Sequence, residues 1–346
     1  MNRRKTRKIY IGKVPVGGDA PISIQSMTST PTKDVKKTVR EIIRLENAGC
    51  EIVRVGVPDI ESARAIADIK KEVSIPVVAD IHFDHRLALE SIKAGVDGLR
   101  INPGNIKDKD KVKEIVYACK DRGIPIRIGV NSGSIDRNVY PVATPEALVD
   151  SAWRHIRILE ELDFKDIKVS LKASDVSTMI DAYRLFASQC DYPLHLGVTE
   201  AGTFRESVVK SSIGIGSLLK DGIGDTLRVS ITGDVVLEVE VAKLILRSLG
   251  LRKEGIEIVS CPTCARKEFD VEKVSEELYQ KTKDIKKYLK VAVMGCVVNG
   301  PGEAMDADIG VAVGKRDAVL FKRGKIERKI KKNSILKELL KEILEN

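Results

Sequence analysis

Aromatic residues are scarce: they make up 4% of the chain, with a single tryptophan. Single-stranded nucleic acid is bound largely by stacking bases on aromatic rings, so this composition disfavours that class of partner. Histidine is scarcer still, with four residues and none beyond His195. The C-terminal part therefore has no imidazole with which to complete a structural zinc site. No window approaches the roughly 18 uncharged apolar residues of a membrane span. The opening MNRRKTRKIYIGK has neither the apolar core nor the small-residue cleavage site of a secretory leader. These absences lead us to expect a cytoplasmic protein with no membrane segment. In a reducing compartment its six cysteines divide between buried small hydrophobes and metal ligands rather than disulfides.

What is plentiful is charge, at 32% of residues and a net +9. From Lys315 to Asn346 there are eleven Lys and Arg against five Asp and Glu, a surplus of six that accounts for most of the excess. Such a surplus favours anionic partners. The tail itself, ending IKKNSILKELLKEILEN, reads as a solvated helix. At 346 residues with 43% hydrophobic content, one large domain plus a small one is expected.

Between Pro21 and about Gly250, short β-branched runs alternate eight times with amphipathic stretches. The runs begin at Ile22, Glu51, Pro76, Gly98, Pro125, Ile167, Pro193 and Thr226. Glycines at 49, 95 and 123 read as helix stops. Eight βα units of this size predict a (β/α)8 TIM-like barrel over 1–250. Polar residues recur with period two in the later strands: Arg100 and Asn102; Arg127, Gly129 and Asn131; Ser170 and Lys172; His195, Gly197 and Thr199; Arg228, Ser230 and Thr232. Crossover helices need apolar contacts on the outside of a barrel, so this set points inward and toward the carboxyl ends. Past Gly250, residues 251–346 read as a small α+β domain, with strands at GIEIVS and VAVMG and a helix from Val271 to Tyr288.

Cys261 and Cys264 form a Cys-x-x-Cys turn, and Cys296 follows a strand and a glycine, so three thiolates can converge on one metal centre. Cys50, Cys119 and Cys190 lie near barrel helix ends among apolar residues and read as core. The Asn299-Gly300-Pro301-Gly302 turn after the third cysteine can return Glu303 as a fourth, non-thiolate ligand. An iron-sulfur cluster with one such ligand has an exchangeable, Lewis-acidic iron. A zinc held by three cysteines and a carboxylate stays open at this point.

Arg54, Arg100, Arg127, Lys172 and Arg228 stand at strand ends, with Asp80 and Glu200 as the carboxylates there. Arg recognises phosphate oxygens bidentately, so the mouth suits a compact anion such as a diphosphate. Asp80, His82 and Glu200 are acid/base candidates. Asn131, Ser230 and Ser260 read as polar, substrate-orienting positions.

Many separate segments carry a resemblance: IYIGKVPVGGDAPISIQSMTSTPTKD, VRVGVP, VADIHFD, LRINPGN, IRIGVNSGS, SLKASD, HLGVTEAG, RVSITGD, SCPTCAR and MGCVVNGPGEA. In that order, from about Tyr10 to about Gly314, they resemble the hydroxymethylbutenyl diphosphate synthase family of the methylerythritol phosphate route to isoprenoids, in its short two-domain bacterial form. The resemblance implies a barrel followed by a 4Fe-4S cluster domain. It implies reductive ring opening and dehydration of 2-C-methyl-D-erythritol 2,4-cyclodiphosphate. Carried over residue by residue, it implies cluster ligands Cys261, Cys264, Cys296 and Glu303. The diphosphate clamp falls on Arg54, Arg100, Arg127, Asn131 and Lys172, with Glu200 near the reacting carbons. Reduced flavodoxin or ferredoxin is implied as donor, and so is a head-to-tail homodimer with composite active sites. Two readings compete with it: a pterin- or phosphosugar-binding barrel with a structural zinc module, and a zinc-ribbon protein that binds nucleic acid through its basic tail.

Overall fold

The computed structural model describes residues 3–106, 108–261, 268–296 and 305–345. It divides into two compact units, Met1–Leu251 and Arg252–Asn346.

The first unit opens with a hairpin of β1 (Ile9–Ile11) and β2 (Val14–Val16). Eight parallel strands follow: β3 (Ser23–Met27), β4 (Ile52–Gly56), β5 (Val77–Asp80), β6 (Gly98–Arg100), β7 (Ile126–Asn131), β8 (Ile167–Lys172), β9 (His195–Leu196) and β10 (Thr226–Leu227). They run side by side in the order β8-β7-β6-β5-β4-β3-β10-β9. A parallel bridge between Val169 and Leu194 brings the two ends of the sheet together. This is the (β/α)8 barrel that the eightfold alternation predicts.

The strands are separated by α1 (Val35–Ala48), α2 (Ile60–Glu72), α3 (His85–Lys93), α4 (Lys109–Arg122), α5 (Pro145–Glu160), α6 (Val176–Ala187) and α7 (Phe204–Lys220), and α8 (Val235–Ser248) follows the last. Their starts follow from local chemistry. Asp34, Asp59, Asp84, Asp108, Asp175 and Asp234 each accept a hydrogen bond from a first-turn amide, and Thr144 does the same ahead of Pro145. Gly49 and Gly123 end α1 and α4 in the left-handed conformation, whereas α3 is capped by Ala94, with Gly95 taking the positive φ one residue later.

Two apolar layers fix which way each strand residue points. Val53, Val55, Val77, Ala79, Ile128 and Val169 pack with the helices in the main core. Ile52 and Val78 instead join Ile9, Ile11 and Val16 in a separate cluster at the amino ends of the strands. The hairpin thus stoppers that end of the barrel, and the alternate residues Arg54, Asp80, Arg100, Arg127, Ser170 and Lys172 face inward above it.

The second unit is a five-stranded sheet in the order β11 (Ile256–Ser260), β12 (Leu289–Met294), β13 (Ile309–Val313), β14 (Ala318–Lys322) and β15 (Lys325–Ile330). The first three are parallel and the last two antiparallel. Helix α9 (Val271–Thr282) and helix α10 (Ile335–Glu345) cover one face. Two expectations are corrected here. Helix α9 ends at Thr282 rather than Tyr288, before the charged stretch KDIKK breaks its apolar stripe. The basic tail is not a solvated helix: it first forms strands β14 and β15, and α10 buries Ile335, Leu339 and Ile343 in the core of the unit. Its lysines occupy the opposite stripe, which is why charge alone misled.

Candidate active site

The inward residues of β4 to β8 form a cationic cluster around one carboxylate. Asp80 Oδ2 lies 3.5 Å from Arg54 Nε, and its Oδ1 lies 3.2 Å from Arg100 Nη1. All three are buried. Burial alone would raise the Asp80 carboxyl, but Arg54, Arg100 and Arg127 outweigh it and hold it below the usual range. Arg54 pays the converse cost: burial, with Arg228 and Arg100 beside it, brings its guanidinium down to about 10 despite Asp80.

Arg127 is the outlier of the set. It is 4% exposed, and among the described residues its Nε and Nη1 have no hydrogen-bond partner. Burial, then Arg54 and Arg100, press its pKa well below the ordinary arginine value. Lys172, at the carboxyl end of β8, is likewise buried without an ion-pair partner among the described residues, and burial and Arg127 lower its amine strongly. Native structures rarely leave such donors unpaired, so this interior is built to receive acceptors.

Two inward glycines make the room. A Cβ on Gly129 would stand 2.7 Å from Arg100 Nε, and one on Gly197 would stand 2.7 Å from Lys172 Nζ and 2.6 Å from the Arg228 carbonyl oxygen. Gly197→Ala is therefore expected to displace Lys172 and lower kcat/KM at least about tenfold, because small misplacements of a binding group are costly. Steady-state kinetics, with circular dichroism to confirm the fold, checks this. Unchanged kinetics would show that Lys172 does not touch the substrate.

Arg228 departs from expectation. Its Nε and Nη2 lie 3.0 and 2.9 Å from the two carboxylate oxygens of Glu238, which also accepts from Ser26 Oγ at 2.8 Å and the Ile231 amide at 3.2 Å. Its charge is thus matched inside the protein. Glu238 lies in the first turn of α8, where the sequence reads as an ordinary helix start, and it adds a carboxylate that strand ends alone do not reveal. Asn102 was likewise underestimated. Its side chain donates to the Gly129 carbonyl at 3.0 Å and accepts from the Gly129 amide at 2.9 Å, extending the β6–β7 pairing by side chain. Lys168, below Lys172 on β8, is buried with its amine 3.5 Å from Gln25 Oε1; its place in the period-two run 168, 170, 172 was the available signal.

His82 is largely exposed at the rim, with Nδ1 3.4 Å from Arg100 Nη1 and Nε2 3.9 Å from Asp80 Oδ1. Glu200 is exposed beyond β9 with φ +52, a left-handed backbone costly for a residue with a Cβ. Asn131 ends β7 opposite Lys172 in register. Ser230 is half-buried, and its carbonyl accepts from Ser207 Oγ at 2.5 Å. The barrel thus brings together Arg54, Asp80, His82, Arg100 and Arg127, and Arg127 is the foremost of the cations acting on Lys172.

In the second unit, Ser260 closes β11 and is exposed. Cys261 follows it, and Cys296 follows β12 by two residues; both are half-buried free thiols. Because Ser260 pairs in register with Val293 on the parallel neighbour, the two cysteines leave the sheet at the same edge. The Gly295 amide donates to Cys261 Sγ at 3.1 Å. An amide hydrogen bond onto sulfur suits a thiolate ligand of a soft metal centre and tunes its potential. These two donors fit an iron-sulfur group. Cys264 and Glu303 lie outside the described residues. The barrel cysteines offer nothing comparable: burial pushes the Cys50 and Cys119 thiols up to about 12 and raises Cys190.

Residues 6–243 match the family described as the GcpE TIM-barrel domain, and residues 257–345 match that described as the GcpE protein C-terminal domain. A protein of Caldanaerobacter subterraneus subsp. tengcongensis, named 4-hydroxy-3-methylbut-2-en-1-yl diphosphate synthase (flavodoxin), is 58% identical over 344 residues, covering 99% of this chain and 97% of its own length. One of the same name from Thermodesulfovibrio yellowstonii is 56% identical over 346 residues, covering 99% of each chain. Among solved structures, dihydropteroate synthase from Stenotrophomonas maltophilia superposes with a TM-score of 0.54 at 12% identity, over 71% of this chain and 100% of that one. Type I 3-dehydroquinate dehydratase from Clostridium difficile gives 0.53 at 14%, over 71% and 98%. At such identities the likeness is one of barrel fold alone.

Proposed function

The chain belongs to the GcpE family, and on that premise we propose that it converts 2-C-methyl-D-erythritol 2,4-cyclodiphosphate to (E)-4-hydroxy-3-methylbut-2-enyl diphosphate in isoprenoid precursor biosynthesis. Two electrons and two protons enter, the ring opens and one water departs. The observation that carries this reading is the buried Arg127 guanidinium, whose Nε and Nη1 have no partner among the described residues, beside Arg54, Arg100 and Lys172. A diphosphate entering from the carboxyl end supplies the acceptors those donors lack.

Cys261, Cys264, Cys296 and Glu303 would hold a 4Fe-4S cluster. When bound, it supplies electrons singly together with a Lewis-acidic iron. The barrel residues do the remainder. Arg127, Arg100 and Lys172 bind and orient the diphosphate, and Asp80 fixes the guanidinium planes of Arg54 and Arg100. Glu200 and His82 would hold protons for the departing hydroxyl. Reduced flavodoxin or ferredoxin serves as donor, and the working form is a cytoplasmic homodimer in which one chain's cluster domain serves the other's barrel. The zinc-module readings find no support in the family matches.

The test is anaerobic purification followed by metal analysis, visible absorption and turnover of the cyclodiphosphate with reduced flavodoxin. A broad visible band, about four irons per chain and formation of the linear diphosphate are expected. Colourless protein with one zinc would overturn the proposal.

A further inference from the structure

We infer that the barrel interior takes up a proton from solvent when the cyclic diphosphate enters, and that Lys172 and His195 are the groups that accept it. The inference rests on the substrate reading above and deepens it.

His195, on β9, is fully buried in the barrel wall facing inward. Its Nδ1 lies 2.6 Å from Thr226 Oγ1 on β10, while its Nε2 has no partner among the described residues. Tyr183, from α6, donates its hydroxyl to the His195 carbonyl at 2.5 Å and leaves the ring untouched. The charged groups that act on the ring are Lys172 and Lys168 from β8, Arg127 from β7 and Arg54 from β4, all cationic when protonated. Those acting on Lys172 are Arg127, Arg228 and Arg54, with Glu238 from α8 the one anion among them. Neither carboxylate is available to balance the others, since Asp80 is bracketed by Arg54 and Arg100 and Glu238 is held by both edges of Arg228.

Several like charges cannot share a water-poor interior at ordinary cost. Guanidinium groups keep their protons in almost any setting, so the amine and the imidazole are the groups that yield. In agreement, burial first, then Lys172 and Arg127, drive His195 well below its usual range, and burial first, then Arg127, does the same to Lys172. A doubly negative ligand reverses the field, and the protonated forms become favourable again. Each phosphorus of a cyclic diphosphate carries a single acidic oxygen that stays ionised throughout the neutral range, so the ligand neither brings nor releases a proton. The proton comes from water and settles on Nζ of Lys172 or Nε2 of His195. The reaction consumes two protons, and this uptake places one of them beside the substrate before any electron arrives.

Calorimetric titration of the oxidised holoenzyme with the cyclodiphosphate, under anaerobic conditions and without reductant, reads the uptake directly. At pH 8 the binding enthalpy should vary linearly with the ionisation enthalpy of the buffer, with a slope near one proton taken up per ligand, about one by linkage. The sign follows: affinity is fully present below the pKa of the empty pocket and is lost as pH rises through that of the complex. Between them, Kd rises up to about tenfold per pH unit. Lys172→Gln and His195→Gln should each reduce the slope. A slope of zero, or proton release, in the parent enzyme overturns the inference while leaving the substrate reading intact. An undiminished slope in both variants overturns the assignment to these residues. Failure of the cyclodiphosphate to bind at all overturns both the inference and the substrate reading.

Discussion

Replacing Arg127 by methionine is expected to raise the melting temperature of the ligand-free enzyme while lowering kcat/KM for the cyclodiphosphate at least about a hundredfold. Both effects have one cause. The guanidinium is buried with two donors unsatisfied and two other arginines close by. Each unpaired buried polar group costs about 1–3 kcal/mol. Methionine has similar length, fills the space and brings no unpaired polar atom of its own, and Asp80 keeps Arg54 and Arg100. In a unit of this size, about 1 kcal/mol corresponds to about 2–4 °C. The activity loss follows from charge-assisted contacts of about 1.5–3 kcal/mol each, two of which exceed a hundredfold. Differential scanning calorimetry and steady-state kinetics on the same preparation check the pair of effects. A lowered melting temperature would mean that Arg127 is structurally paired; normal turnover would mean that the anion binds elsewhere.

Cys261→Ser and Cys296→Ser should each abolish the visible chromophore and reduce activity by more than about a hundredfold, since even changes in the shell behind a metal ligand cost about 10–100-fold. Cys119→Ala should keep both iron and activity, at a stability cost of about 1 kcal/mol for the small cavity left in the barrel core. The contrast is set by surroundings. Cys261 accepts an amide hydrogen bond at the sheet edge, whereas Cys119 is sealed among apolar side chains with its thiol pushed up to about 12. Iron and sulfide analysis across the three variants decides it. Retained iron in Cys296→Ser would remove that residue from the ligand set.

Much of the barrel was legible because its signals are local: a β-branched run alternating with an amphipathic stretch, a helix-stopping glycine, a period-two polar run. Arg100 and Arg127 could be placed inside from alternation, and Arg54 and Asp80 from their position at strand ends. What alternation cannot reveal is who pairs with whom. Arg228 obeys the same pattern as Arg127, yet Glu238 reaches it from a helix start ten residues on. The short β9 and β10 also differ from their sequence runs: only His195–Leu196 and Thr226–Leu227 pair fully as strands, β9 at the seam where the sheet closes on β8 and β10 between β9 and β3. In the tail, Lys and Arg dominated the composition while Ile335, Leu339 and Ile343 decided the fold. A stripe spaced by four outweighs the net charge of the segment that carries it.

The hairpin at the amino ends carries a consequence for traffic. With Ile9, Ile11 and Val16 seated on Ile52 and Val78, the barrel is a cul-de-sac. Whatever enters by the carboxyl mouth must leave by it. Fresh substrate cannot push spent product out through the far side, so each turnover ends with the mouth being vacated. Product and substrate therefore queue for the same doorway and exclude each other there. If the diphosphate binds among the arginines as proposed, accumulating product should compete with substrate rather than act at a separate place. On that reading, the cations that capture the substrate are also the ones that must let the product go.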